Sequence, residues 1–144
     1  MIYKLVIAVA FLLTAYQSFT LPIGPSEAMY LYADNSIISF LGFLGGDYFR
    51  LPFFLIATLN FFLFYRLSRY YLEYKKDRVI ALSIFILLPG VISSAILVDP
   101  SSVSIFFVLV FLLAYKTKRI YVQTLSLLAL LLVNPSSVIF FFAL

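Results

Sequence analysis

The residues of this chain that could do chemistry are carboxylates and one arginine. Glu27, Asp34, Asp47 and Asp99 lie between long apolar runs, and Arg50 is the one basic residue in the same segments. Cysteine and histidine are absent from the sequence, which excludes a disulfide framework, a Cys/His metal site and a Cys or His nucleophile or base. The carboxylates could act instead, as functional groups held at a membrane surface.

Each of these residues also has a structural interpretation. Glu27 fits a solvated position in the first turn of a short helix, where the helix dipole favours negative charge. Asp34 is typical of a turn or cap, and Asp47 is close enough in sequence to pair with Arg50. Asp99 fits the N-cap of the helix that follows it. Both kinds of role remain open for every one of the four acids.

The composition predicts that lipid surrounds most of the chain. Of its 144 residues 65% are hydrophobic and 11% are charged, whereas soluble domains have about 45–50% apolar and about 25% charged residues. Seventeen Phe and eleven Tyr exclude disorder. The net charge of +4 comes from short basic clusters beside apolar runs, which indicates membrane topology and membrane lipid as a partner, with no nucleic acid.

The apolar runs predict an all-α, polytopic transmembrane bundle. A span needs about 20 apolar residues. We assign five runs plus the start of a sixth as spans, although three of the five are shorter than that: 2–21, 51–65, 79–98, 100–115, 120–133 and the run from residue 138. The fourth is expected to thin the bilayer locally or to lean on flanking residues. Pro89-Gly90 predicts a kink in the third. A cleaved signal peptide is the alternative for the first run, but residues 14–18 lack a small-x-small cleavage pattern, which favours a retained helix.

The charges predict the orientation of these spans. Nine of the ten basic residues fall on one side of the predicted map: Lys4, Arg66, Arg69, Lys75, Lys76, Arg78, Lys116, Lys118 and Arg119. Because Lys and Arg near span ends prefer the cytoplasm, the N-terminus is expected on the cytoplasmic side. The protein itself is expected in the inner membrane of a cell. The sixth run reaches Leu144 without a polar flank, so residues 1–144 are expected to be one transmembrane domain at the N-terminal end of a longer chain.

The outer segment 22–50 is predicted to contain short interfacial helices. Ser26 is a candidate N-cap for a helix over 27–33, and Tyr30 would lie on the same side of that helix as Glu27. The run 37–46 is apolar, too short to span, and contains three glycines. We expect it to lie in the interface or against the bundle.

Two further polar patterns stand out against the apolar background. Asp99-Pro100-Ser101-Ser102-Val103 recurs 35 residues later as Asn134-Pro135-Ser136-Ser137-Val138. An Asp or Asn cap followed by Pro is a strong helix start, although a shared role for the two caps in one outer site is the alternative. Asn60, inside the second run, is predicted to form a hydrogen bond between helices.

The order of these elements resembles the start of the GT-C glycosyltransferases. More narrowly, it resembles the branch of protein O-mannosyltransferases and aminoarabinose transferases (glycosyltransferase family 39-like). Residues 26–30, Ser-Glu-Ala-Met-Tyr, are similar to the family's Asp-Glu-Ala-x-Tyr. Residues 46–52, Gly-Asp-Tyr-Phe-Arg-Leu-Pro, are similar to its Gly-x-x-x-x-Arg-Leu-Pro, with one residue fewer between the glycine and the arginine. Asp99-Pro100 stands where such proteins often place an acid, and Asn134-Pro135 resembles the Lys-Pro or Lys-Gly start of a later span.

The resemblance implies transfer of a sugar from a polyprenyl-phosphate carrier to an acceptor at the outer membrane face. The sugar-linked polyprenyl phosphate would be the donor substrate, and no metal is assigned to the site. A carboxylate would deprotonate the acceptor hydroxyl, and Arg50 would stabilise the departing phosphate. The implied catalytic candidates are Glu27, Asp99 and Asp47, and the implied substrate-binding candidates are Arg50, Tyr30 and Asp34.

One departure from the family pattern affects this expectation. The family's catalytic aspartate precedes the glutamate, and this chain has Ser26 there. Either Glu27 has taken the role, or Asp34 or Asp47 has, or activity is lost. Residues 1–144 alone are expected to be inactive, because later spans would supply the rest of the substrate sites.

A non-catalytic membrane protein, such as a transporter fragment or an assembly subunit, is the rival interpretation. Transport sites lie near the bilayer midplane and use ionisable residues or broken helices. Only Asn60 and Pro89-Gly90 are expected at that depth. Because few polar features are expected at the midplane while four carboxylates are expected at the outer face, the sequence favours chemistry at the membrane surface over transport.

Overall fold

The computed structural model describes residues 2–32 and 37–134, and within those ranges the chain is helical without any strand. The eight α-helices are α1 (Ile2–Thr20), α2 (Pro25–Tyr32), α3 (Ile37–Gly45), α4 (Leu51–Ser68), α5 (Lys75–Leu87), α6 (Pro89–Ile96), α7 (Pro100–Lys116) and α8 (Ile120–Val133). A 3₁₀ turn, Gly46–Tyr48, links α3 to α4. The all-α prediction is confirmed.

Helix α4 lies at the centre of the bundle. It packs against α1, α3, α5, α6 and α7, while α8 packs on α7. Pro52 stands in its first turn, where a missing N–H costs no hydrogen bond. Phe53 and Ala57 of α4 are buried, and Phe53 joins a core cluster with Ile38, Val98 and Val103. This core lies beside the start of α4 and therefore holds the first turn of that helix in place.

Fewer helices than predicted are long enough to cross a membrane. Among the described residues α4 alone meets the length and hydropathy expected of a span, and up to three spans result if each bent pair counts as one. The prediction of five spans and the start of a sixth is therefore wrong by these criteria. At about 1.5 Å per residue, α7 and α8 measure about 26 and 21 Å, shorter than a hydrocarbon core of about 30 Å. The predicted sixth run, from residue 138, lies outside the described residues.

The predicted kink at Pro89 is present. Helices α5 and α6 meet at an angle of 64°, and Leu88 between them is extended with ψ 127°. A residue before proline is driven out of the helical region by the proline ring, so the break follows from the sequence. The predicted run over 79–98 is thus two helices.

Helices α1 and α2 are also bent against each other, by 72°. The short helix predicted in this segment exists, but it begins at Pro25 rather than after Ser26, so the predicted Ser26 cap is wrong. Proline is favoured at the first helical position, which makes Gly24 the cap residue. Helix α3 confirms the short apolar element over 37–46. Gly42 of α3 lies against the Leu31 side chain of α2, which would have to move if Gly42 carried a side chain.

The two clusters of cations between helices meet at one end of the bundle. The Lys116 ammonium, at the end of α7, lies 4.4 Å from the ring centroid of Tyr71, which follows α4. We call this the basic end. The starts of α2, α4 and α7 lie at the opposite end, which we call the carboxylate end because Glu27 and Asp99 are found there.

Candidate functional site

The carboxylate end is organised by a buried ion pair between Glu27 and Arg50. Arg50 Nε donates to Glu27 Oε1 at 2.8 Å, and Nη2 donates to Oε2 at 2.6 Å. Two parallel bonds of this length are the strong, bidentate form of an arginine–carboxylate contact. The residues are only 1% and 3% exposed, so water screens the pair little.

Arg50 also binds the end of α1. Its Nη1 donates to the carbonyl oxygens of Ser18 at 3.3 Å and Leu21 at 2.6 Å, and Nη2 donates to that of Pro22 at 2.9 Å. The last carbonyls of a helix lack partners within it and carry partial negative charge. Arg50 therefore pairs with the carbonyl of the buried Ser18 in the last turn of α1 and with the carbonyls of Leu21 and Pro22, which directly follow that helix.

Glu27 accepts two backbone bonds besides those from Arg50. The N–H of Gly24 donates to Oε2 at 3.0 Å, and the N–H of Val98, between α6 and α7, donates to Oε1 at 2.9 Å. The first bond has the geometry of a capping box, in which a glutamate at the third helical position reaches back to the cap residue. The second connects parts of the chain 71 residues apart.

Together these bonds use the full hydrogen-bonding capacity of both side chains. A guanidinium has five N–H donors and an ionised carboxylate has about four acceptor positions. Arg50 makes five bonds and Glu27 receives four. A phosphate could bind Arg50, or a hydroxyl proton could reach Glu27, only by displacing one of these bonds. The arrangement is suited to holding four segments of the chain together.

Two sequence-based interpretations are therefore corrected. Glu27 is not a solvated first-turn residue, because the end of α1, the start of α4 and the α6–α7 connection cover it. Arg50 does not pair with Asp47, which is exposed; its carboxylate partner is Glu27. Proximity in sequence favoured Asp47, but the fold brings together residues 23 positions apart.

Asp99 is the carboxylate closest along the chain to this network. It caps α7 as predicted, with Oδ1 accepting from the Ser101 N–H and hydroxyl, each at 2.9 Å. Its Oδ2 accepts no hydrogen bond from the part of the chain that the structure describes, and the residue is half-buried. Asp99 therefore keeps acceptor capacity next to Val98, which Glu27 holds in place.

The other candidate residues are dispersed. Tyr30 packs against the core cluster of Ile38, Phe53, Val98 and Val103, which is a structural environment. Asp47 and Arg50 both line a cavity of about 120 Å³, small beside the roughly 300–1,000 Å³ of typical ligand sites. Asp34 lies outside the described residues.

An apolar groove opens near the ion pair. It has a volume of about 420 Å³ and is lined by Leu21 at the end of α1 and by α6 residues that include Pro89, Ile92 and Ile96. The carbonyl of Leu21 is one of those bound by Arg50. The groove and the ion pair thus share a structural element.

Asn60 forms the interhelical bond that was predicted for it. Its Nδ2 donates to the Ser102 carbonyl of α7 at 2.9 Å. Its Oδ1 is buried and has no partner among the described residues. The α4–α7 contact therefore contains one satisfied and one unsatisfied polar group.

Part of the ion-pair network had a sequence signal. Gly24 followed three residues later by Glu27 is a cap-and-glutamate spacing, and it could have indicated the backward bond of Glu27. Nothing in the sequence indicated the bonds from Arg50 or Val98, because they depend on tertiary packing.

No group of three or more His, Cys, Asp or Glu side chains in the described ranges could hold a metal ion.

Comparisons with known proteins add no family assignment. The chain matches no protein-family model, no curated protein and no solved structure.

Proposed function

We propose that the chain belongs to a membrane glycosyltransferase that moves a sugar from a polyprenyl-phosphate carrier to an acceptor at the outer face of a cell inner membrane. The observation that carries the proposal is the carboxylate end itself: a half-buried Asp99 with acceptor capacity stands beside a rigid, buried Glu27–Arg50 pair. The N-terminus is cytoplasmic in this proposal, because the basic end then faces the cytosol.

Asp99 is the proposed general base. Its carboxylate takes the proton of the acceptor hydroxyl while that oxygen attacks the anomeric carbon. The bond between the anomeric carbon and the phosphate oxygen breaks, and its electron pair stays on that oxygen. Polyprenyl phosphate is the leaving group. The groove beside Leu21 is apolar, as a site for the carrier chain must be.

Glu27 and Arg50 are positioning residues in this proposal. The Val98 N–H bond fixes the backbone immediately before Asp99, so the pair sets where α7 and its cap begin. This assignment departs from the resemblance, which implies a catalytic Glu27 and a phosphate-binding Arg50. The saturation of both side chains is the reason for the departure.

Replacing Asp99 with Asn in the full-length chain tests the proposal. Asn caps helices about as well as Asp, so α7 should remain intact while the base is lost. Lipid extracts of cells with wild-type protein, with Asp99→Asn, or with none are compared by mass spectrometry for sugars linked to polyprenyl phosphate. Such a lipid should accumulate with the variant and in the absence of the protein.

The control is Asp77→Asn, which removes an exposed carboxylate at the basic end and should leave the lipid profile as in wild type. Identical profiles in the wild type and in cells without the protein would overturn the transferase proposal. A wild-type profile with Asp99→Asn, when the cells without the protein differ, would overturn only the role of Asp99.

A helical subunit without catalysis is the second candidate. The observation that favours it is the complete use of Glu27 and Arg50 in bonds within the chain, which is what a purely structural pair requires. This candidate expects Asp99→Asn to have no effect on lipid-linked sugars, and expects the chain to co-purify with a catalytic partner.

A further inference from the structure

A second apolar groove lies between α1, α4 and α5, towards the basic end. It has a volume of about 460 Å³, and its walls include Ile7, Ala8 and Phe11 of α1, Phe61 and Tyr65 of α4, and Ile86 of α5. The Thr58 hydroxyl in its wall is already bonded to the Phe54 carbonyl at 2.9 Å. The groove therefore offers hydrocarbon contacts and little that would hold a polar molecule.

Cations stand where the helices that line this groove end or begin. Arg66 follows Tyr65 directly, and Lys75 is the first residue of α5. Both are exposed, and neither forms an ion pair with a described carboxylate, since Glu27–Arg50 is the one pair found there. Residues 66–78 carry five cations against two carboxylates, Glu73 and Asp77. An anion would therefore be attracted to the end of the groove that lies beside these residues.

The loop that carries these cations is held in shape. Arg78 donates from Nε to the Leu72 carbonyl at 2.8 Å and from Nη2 to the Glu73 carbonyl at 2.6 Å. The contact of Lys116 with the Tyr71 ring brings the second basic loop to the same end. Exposed tyrosines at positions 70, 71 and 74 are the side chains that favour the headgroup level of a bilayer.

We propose that this groove binds an anionic phospholipid, with an acyl chain between α1, α4 and α5 and the phosphate headgroup beside Arg66 and Lys75. Basic residues next to a membrane attract anionic lipids, and the apolar walls supply contacts for a chain of CH₂ groups. The site is at the end of the bundle opposite to the carboxylate end. It goes beyond the proposed sugar transfer and does not depend on it.

Native mass spectrometry of the purified protein tests the site. Dioleoyl phosphatidylglycerol and dioleoyl phosphatidylcholine have the same acyl chains and differ in headgroup charge. The protein should retain the first more strongly, and Arg66→Gln combined with Lys75→Gln should reduce that preference by about tenfold. Lys118→Gln, which removes a cation from the other loop, should reduce it much less. Equal retention of the two lipids by the wild type would overturn the proposal.

A second pair of variants tests the groove. Ala8→Phe should fill it and abolish retention of either lipid, whereas Val9→Phe, at the neighbouring position of α1 that does not line the groove, should leave retention unchanged. Equal retention by these two variants would overturn the placement of the acyl chain. The charge variants alter only exposed side chains, so they decide the matter even where Ala8→Phe does not fold.

Discussion

Glu27 and Arg50 show how much a single pair of side chains can organise. Charges are costly to bury, and a buried pair is tolerated when its remaining donors and acceptors are satisfied. Here the remaining positions are filled by three carbonyls from the end of α1 and by two backbone N–H groups. The pair therefore stabilises a junction of four segments that local helix formation alone would leave unconnected.

Glu27→Gln should destabilise the protein by about 3 kcal/mol, because it leaves the buried Arg50 charge without a counter-charge. Thermal unfolding in detergent measures the effect. Asp47→Asn makes the same chemical change at an exposed position and should stay within about 0.5 kcal/mol of wild type.

The double variant Glu27→Gln/Arg50→Gln completes the cycle. It should be less destabilised than the sum of the two single variants by about 1 kcal/mol or more. Additive effects would show that the two side chains do not interact in the protein as it exists in detergent.

Asn60 gives a second test at a single side chain. Asn60→Asp should be strongly destabilising, by about 3 kcal/mol, because a carboxylate cannot donate to the Ser102 carbonyl and is costly to bury. Asn60→Leu should cost only about 1 kcal/mol, because it loses one interhelical bond but also removes the unpaired Oδ1. Equal unfolding temperatures for the two variants would contradict this geometry.

At the scale of helices, the cap of α7 and the break before Pro89 were predicted correctly from the sequence, whereas the Ser26 cap of α2 was not. The start of α7 at Pro100 behind an Asp99 cap, the break before Pro89 and the bounds of α8 all follow from local rules for Pro, Asp and apolar runs. The number of spans was overestimated, because α7 and α8 are shorter than a span and because the backbone divides residues 79–98 into two helices. The partner of Arg50 was inaccessible, because it depends on how α1, α2 and α4 pack.

The cap of α7 can be tested separately from any chemistry. Asp99→Ala should destabilise the protein by about 1 kcal/mol through loss of the bond from the Ser101 N–H, whereas Asp99→Asn should be close to neutral. Unfolding temperatures of the two variants measure this. If both fell equally, the carboxylate charge rather than the cap bond would be what stabilises the start of α7.

At the scale of the whole molecule, the distribution of charge defines two ends. The core cluster of Ile38, Phe53, Val98 and Val103 and the Glu27–Arg50 pair lie at one end, and the cations around Tyr71 and Lys116 lie at the other. Helix α4, the clearest candidate for a span, connects them. The sequence placed the basic clusters and the carboxylates Glu27 and Asp99 at opposite ends, as the structure does. The number of spans was overestimated.

Site-directed labelling can test whether the two ends face opposite sides of a membrane. The chain has no cysteine, so Asp47→Cys, Lys76→Cys and Lys118→Cys each introduce a unique exposed thiol. An impermeant maleimide added to intact cells should label position 47 and leave positions 76 and 118 unlabelled until the membrane is opened. Labelling of position 76 together with position 47 would show that α4 does not cross the membrane.

The spacing of the ion-pair network along the chain bears on how the protein is made. Arg50 follows Glu27 by 23 residues, but Val98 follows it by 71. During synthesis the two opposite charges can meet as soon as the first residues of α4 have emerged, long before the α6–α7 connection exists. We expect this pairing to neutralise the hairpin of α1 and α4 first, so that the Val98 N–H binds a carboxylate that Arg50 has already oriented.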